Sequence, residues 1–408
     1  MEPNPTFPSD PKPVSANPVE SPASGAETRA AADGERRRKI TFAKDAAGFL
    51  TELRRGVDDY FNRTGKGKTD SWQMYLKSAI ILIVLAASYV LLVFFAQTWW
   101  QAIPLALLLG VSMAQVGFNI QHDGGHHSYS SREWVNKSAA MTLDLVGASS
   151  YLWHWKHVVY HHTYVNVHGE DTDIDVSSLV RFTPHARRLK MQRYQHFYLW
   201  PMYGLMASRW HLYGDFKDVI TGTIGPHPIP RPRRWDLVIF VAGKVVSIGL
   251  LLVLPMFFHP WWLVLAFYML VTSVLGVILS VVFQLAHCVE EAAFTMPVGD
   301  PRRMEAAWAV HQAEATVDFA RNSRVLAWLL GGLNFQIEHH LFPMICHVHY
   351  PAICKIVEQT CKDFGVKYAE HPTFWSGVAS HYRWLKQMGR LNGEQGPHSG
   401  QIAANAFS

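Results

Sequence analysis

Charge is scarce in this chain. Of its 408 residues only 17% are Asp, Glu, Lys or Arg, while 49% are hydrophobic and sit in clusters rather than at periodic intervals. Soluble domains carry roughly 25% charged residues, so the shortfall points to a membrane. The net charge of +5 is mild, and no basic run interleaves with aromatics, which excludes nucleic acid as a partner. Cysteine is equally sparse. Cys288, Cys346, Cys354 and Cys361 form no Cys-x-x-Cys pair, so neither a zinc ribbon nor an iron–sulfur site is indicated, and reduced cytosol-side thiols are expected. Residues 1–39 lack the apolar core of a signal peptide and read as a disordered cytosolic tail. Residues 392–408 read as a flexible C-terminal tail.

What the chain does have is long apolar runs. Residues 76–96, 102–120, 237–258 and 261–285 each approach or exceed the roughly 20 residues needed to cross a bilayer core. The first two and the last two are joined by short segments, which predicts two hairpins. Both turns lack Lys and Arg, whereas the N-terminal tail, the central segment and the C-terminal region carry them, so the positive-inside rule places those three regions in the cytosol. The fold class expected is therefore an all-α, multi-pass integral membrane protein with a cytosolic helical cap formed within residues 40–391. Phe42, Ala46, Phe49, Leu53, Val57 and Phe61 predict an amphipathic helix, lying on the bilayer or on the protein body. Residues 141–153 and 197–213 are too polar for comfortable spans and are expected to be re-entrant or interfacial helices. The proline-rich stretch 225–232 predicts a rigid extended connector. Lys244, inside the third span, is expected to snorkel or to pair with another helix.

The 22 histidines are the compositional outlier. Three clusters stand out: His122-Asp-Gly-Gly-His126-His127, His157-Val-Val-Tyr-His161-His162, and Gln336-Ile-Glu-His339-His340. A single His287 lies at the exit of the fourth span. All fall on the same predicted membrane face. On an α-helix His157 and His161 differ by about 40° in azimuth and His162 lies about 140° from His157, so the first two are expected at one ion and the third at another. A structural zinc uses about four ligands, and eight or nine donors imply two ions with open positions. Each imidazole ligand needs an acceptor for its second nitrogen, and Asp123, Glu338, Asp171 and Asp173 are the candidates. His127 reads as an outer residue, His311 as a ligand or a capped neighbour, and His347 and His349 fall outside the set.

The three clusters, in this order between paired spans, resemble the histidine boxes of the membrane fatty acyl desaturases. The phrases GGLNFQIEHHLFP, HHTYVNVHGEDTDID and FQLAHCVEE are similar to those of the bacterial linoleoyl-CoA-desaturase-like group, related to front-end desaturases. The resemblance covers about residues 40–389. It implies two non-haem iron ions, with O2 as co-substrate and two electrons from a separate donor, forming a cis double bond in an acyl-CoA or acyl-lipid chain. The ligands it implies are His122, His126, His157, His161, His162, His287, His339 and His340, with Gln336 where many relatives have histidine. Relatives often carry a fused cytochrome b5 domain with a His-Pro-Gly-Gly motif, which this sequence lacks. A separate ferredoxin or cytochrome b5-type protein is therefore expected to dock at Arg187, Arg188, Lys190 and Arg193. The active site and both termini are expected on the cytoplasmic side of a bacterial inner membrane. A hydroxylase of the same chemistry, or a non-catalytic membrane metal-binding protein, fits the same residue types.

Overall fold

The computed structural model describes residues 40–175 and 178–391. The two tails read from the sequence lie outside them. The described chain is mostly helical, and four helices are long and apolar enough to cross a membrane. With α1 assigned to Phe49–Thr64, these are α2 (Trp72–Phe95), α3 (Trp99–Gly125), α4 (Trp235–Met256) and α5 (Trp261–His287). All four expected spans are present. Each begins at or a few residues before the expected position, and every one opens on an exposed tryptophan: Trp72, Trp99, Trp235 and Trp261. Indole rings favour the membrane–water boundary, where one edge stays wet while the ring body is buried.

The spans are not equivalent. In α3 61% of the apolar window is buried in the protein, against 22% in α2 and 17% in α4, so α3 is the central helix. It packs against both α2 and α5. Its approach to α5 depends on Gly110, where an added Cβ would lie 2.8 Å from the Val271 carbonyl oxygen. Thr98 and Gln101 cap its start, with Gln101 Oε1 accepting from the amides of Gln97 at 3.0 Å and Thr98 at 3.3 Å. α3 and α5 also run further toward the histidines than expected, to Gly125 and His287.

The amphipathic segment divides in two. Residues 41–43 form a strand parallel to Arg303–Ala307, so Phe42 and Ala46 lie outside the helix. α1 starts where Asp45 accepts from the amides of Phe49 and Leu50, at 3.0 and 2.8 Å. Its buried face, Phe49, Leu53, Val57 and Phe61, meets Ile353, Cys354 and Val357 of the helix Tyr350–Asp363. α1 thus packs on the protein body rather than on lipid. All four cysteines are buried and unpaired.

The stretches 141–153 and 197–213 are broken rather than continuous helices. The first splits into Thr142–Leu145 and Ser150–Trp153; the second into Gln195–Tyr203, Met206–Arg209 and a π-helical turn, Trp210–Gly214. Lys244 of α4 ties both to the span: its Nζ lies 2.7 Å from the Gly147 carbonyl, 3.3 Å from that of Trp210 and 2.7 Å from Asp215 Oδ2. The lysine is helix-paired and buried. The proline-rich connector starts as a tight hairpin, Thr223–Ile224 against His227–Pro228, before it extends. This and two further two-stranded pairings qualify the all-α expectation.

Candidate metal centre

The first histidine pair is built at the end of α3. A π-helical turn at Gly117–Gln121 precedes the short α-helical turn His122–Gly125, and helix geometry brings the rings of His122 and His126 to 4.7 Å between centroids. The two glycines are there for space. A Cβ on Gly124 would lie 2.6 Å from Ala139 Cβ, and one on Gly125 would lie 2.2 Å from the Trp153 ring. Trp153 uses that room to stack on His157, at 4.6 Å and 27°, with its ring also against His122 and His126.

The second box is not an α-helix. Residues His154–His161 form a π-helical segment, in which the His162 amide donates to the His157 carbonyl five residues back. The wider turn brings His162 round to His157, and their Nε2 atoms are 3.2 Å apart. The expected division, His157 with His161 and His162 elsewhere, assumed the α period. The donor atoms of His157 and His161 do come within 4.8 Å of each other and of Asp173, yet each belongs to a different set of imidazoles. His157 joins His122, His126 and His339, whereas His161 joins His287 and His340. His162 joins His339 and His340 between the two sets. The third box supplies the link, because helix Gln336–Leu341 sends His339 one way and His340 the other.

Every expected histidine therefore converges, and all are buried. Gln336 is buried at the start of its helix, where its Nε2 donates to the Leu333 carbonyl at 2.9 Å. The other histidines are occupied elsewhere. His127 is exposed on Glu133, at 2.9 Å; His311 lies between the Val165 carbonyl and Thr295 Oγ1, at 2.9 and 3.3 Å; His349 packs against Phe61.

The outer contacts aim the rings. His161 Nδ1 is 3.1 Å from Asp171 Oδ2, His340 Nδ1 is 2.8 Å from Gln312 Oε1, and His339 Nδ1 is 3.3 Å from the Tyr350 hydroxyl. In all three the Nε2 is left pointing inward. Asp173 pairs with Lys156 through Oδ1 at 2.8 Å and leaves Oδ2 3.7 Å from His161 Nδ1. Glu338 faces away from the histidines, toward Asp318 and the Tyr368 hydroxyl, and burial beside Asp318 raises its pKa well above the carboxylate range. Gln312, Tyr350 and Trp153 were not identified from sequence: an amide, a phenol and an indole carry no metal-ligand pattern.

The donor set fits a metal. The Nε2 atoms of His122, His126, His161, His339 and His340, the Nδ1 of His162 and both ring nitrogens of His287 are buried with no hydrogen-bond partner in the protein. A buried polar atom without a partner costs about 1–3 kcal/mol, so this many in one place signals a ligand. Burial, reinforced by the neighbouring imidazoles, holds His126, His157, His162, His339 and His340 well below the ordinary histidine pKa. Neutral imidazole is the form that binds metal. His161 goes the other way: burial lowers it, but the Asp171 carboxylate outweighs burial and raises it. On the span side Phe283 of α5 lies against His161 and His287, at 5.0 and 4.6 Å, giving the cluster an apolar wall. A cavity of about 500 Å³ between the spans, lined by Tyr89, Trp99, Leu109 and Tyr268, lies at the other ends of the helices and touches none of these histidines.

The fatty acid desaturase family model matches residues 98–372, a stretch that includes all three histidine clusters and His287. The chain is 38% identical to an sn-1 linoleoyl-lipid 6-desaturase of Arthrospira platensis, over 86% of this chain and 95% of that protein. It is 35% identical to the protein of the same description from Synechocystis, over 85% and 96%. It is also 38% identical to an acyl-lipid (8-3)-desaturase of Physcomitrium patens, over 85% of this chain and 73% of that one. With the family model covering most of the chain and the histidines gathered in one buried cluster at the ends of two membrane helices, the chain belongs to the fatty acid desaturase family and is an integral membrane oxidoreductase, a fatty acyl desaturase.

Proposed function

We propose that this protein desaturates an acyl chain carried on a membrane lipid, inserting the cis double bond at the sixth carbon from the carboxyl end. The lipid-linked substrate and the position follow the two cyanobacterial relatives, whose names specify both. The observation that carries the chemistry is the set of eight buried, partnerless imidazole nitrogens. They come from seven histidines, His122, His126, His161, His162, His339, His340 and His287 with both its nitrogens. With His157 beside them, its Nε2 3.2 Å from that of His162, they suit two iron ions, with Gln336 as an additional donor. When bound, such a pair supplies the means of using O2 and two electrons to remove two hydrogens from adjacent methylenes.

The chain's own residues do the rest. Asp171, Gln312 and Tyr350 fix ring orientation, Trp153 and Phe283 cover the imidazoles with apolar surface, and α3 and α5 bring their histidines to one membrane boundary. The four spans are read as two hairpins, because residues 96–98 and 257–260 are the whole of the connections. Residues 40–391 form the desaturase domain, its cap and site on the cytoplasmic side of the bacterial inner membrane. Arg187, Lys190 and Arg193 are all exposed, and Arg188 bonds the Gly389 carbonyl at 2.8 Å. This basic surface suits a soluble ferredoxin or cytochrome b5-type donor.

The test is expression with a ferredoxin reduction system in a host that supplies linoleoyl lipids, followed by mass spectrometry of the host lipids and iron analysis of the purified protein. A new double bond at carbon six and two irons per chain are expected. A gain of one oxygen without a double bond, or unchanged lipids with bound iron, would overturn the reading.

A further inference from the structure

A second buried group of metal-type side chains lies beside the first. The donor atoms of Asp123, Cys346 and His347 come within 4.8 Å of one another, and all three residues are buried. They do not form a cation site, because both ring nitrogens of His347 are already engaged. Nδ1 lies 2.8 Å from Asp123 Oδ2, and Nε2 lies 3.1 Å from the ammonium of Lys77. Lys77 sits near the start of α2, is 4% exposed, and lies 5.0 Å from the Trp328 ring. A metal here would have to share His347 with a buried positive charge.

The arrangement has a direction. An ammonium only donates, so His347 Nε2 accepts and its proton sits on Nδ1. That proton is given to Asp123 Oδ2, which also faces the His347 amide at 3.4 Å. With Oδ2 held, Oδ1 of the same carboxylate is 3.8 Å from Nδ1 of His122, whose Nε2 is one of the buried, partnerless nitrogens. A carboxylate facing Nδ1 favours the tautomer that leaves Nε2 free to bind a metal. Three separated parts of the chain meet here: the start of α2, the end of α3 and the loop after the third box.

We infer that Lys77 and His347 are positioning residues for the iron ligand His122, acting through Asp123. This rests on the two-iron reading above. Without Lys77 the imidazole loses the donor that fixes its tautomer; without His347 the carboxylate loses its anchor and an uncompensated lysine is left buried.

The experiment compares full-length Lys77→Met, His347→Leu and His347→Gln with wild type after loading with ferrous iron. Glutamine keeps the polarity of the bridge, with an amide N–H for Asp123 and an amide oxygen for Lys77. Lys77→Met and His347→Leu are expected to weaken iron binding at one of the two positions by about 10- to 100-fold in chelator competition. They should also alter one of the two Mössbauer doublets, while His347→Gln restores both properties. Wild-type iron affinity and unchanged doublets in Lys77→Met and His347→Leu would overturn the inference, whatever their unfolding temperatures. So would equal loss of both irons in all three variants, which would mark the group as a folding element. A wild-type protein that binds no iron would instead strike the two-iron reading itself.

Discussion

Replacing Asp171 by asparagine tests how much of the metal affinity comes from outside the ligand set. The carboxylate is fully buried and serves three groups: Oδ2 accepts from the Asn166 amide at 2.9 Å and faces His161 Nδ1 at 3.1 Å, and Oδ1 accepts from the Asp173 amide at 2.9 Å. Asparagine keeps the shape but turns one oxygen into a donor. Aiming the new NH2 at the Asp173 amide breaks one contact, whereas aiming it at Oδ2's partners breaks two, so the first orientation wins. Folding then loses about 1–3 kcal/mol for each of the two donors left facing one another, the Asp173 amide and the new NH2. His161 keeps an acceptor but loses the negative charge that made its ring more basic. Loss of such an outer partner lowers metal affinity about 10- to 100-fold, or about 1.4–2.7 kcal/mol at the ion His161 serves. Asp171→Ala removes all three acceptor contacts and should cost more on both counts. Chelator competition against ferrous iron measures the affinity, and unfolding of the apoprotein in detergent measures the stability. Wild-type iron affinity in Asp171→Asn, or identical behaviour of the Asn and Ala variants, would refute the assignment of Asp171 as the group that orients His161.

Three further outcomes follow from local geometry. Gly125→Ala puts a Cβ 2.2 Å from Trp153, so it should destabilise by about 1–3 kcal/mol and reduce desaturase activity by displacing the indole from His157; activity equal to wild type would show that the ring position is unimportant. Lys244→Met leaves Asp215 buried without its ion partner and should cost about 3–5 kcal/mol, much of it recovered in Lys244→Met with Asp215→Leu, as read by unfolding in detergent. The Glu291 carboxyl is raised by burial, but hydrogen bonds with His371 and Ser380 outweigh this and bring it down to about 2. Because its folded pKa lies below its unfolded one, its stabilisation is complete above about pH 4.5 and is lost as pH falls toward 2. Glu291→Gln should therefore lower the unfolding temperature at pH 6 more than at pH 3, and an equal effect at both values would refute the sign.

The spans were legible because a bilayer imposes a length and a composition that few local choices can disguise. Their ends were less so. α3 and α5 run past the expected exits to Gly125 and His287, since polar residues buried against protein need not end a helix as they would in lipid. The broken segments before α4 were legible only as unsuitable spans. What arranges them is the Lys244–Asp215 pair, and residues 29 apart in sequence give no periodic signal of contact.

At the metal centre the nitrogens could be named from sequence, but their grouping could not. Spacing of four and five within the second box has a different meaning on each helical period. On the α period residue four shares a face and residue five does not; the π-helical turn brings residue five round as well, and His162 reaches His157. That single change makes the box a bridge, giving His157 to one set of imidazoles and His161 to the other, with His162 between them. Nothing in the local residue types demands a π turn. It is held by tertiary contacts instead: Trp153 stacked on His157 in the space left by Gly125, and Asp171 fixing His161. The period of this segment is therefore a consequence of the packed site, which is why α-helical azimuth alone does not give the approach of its first histidine to its last.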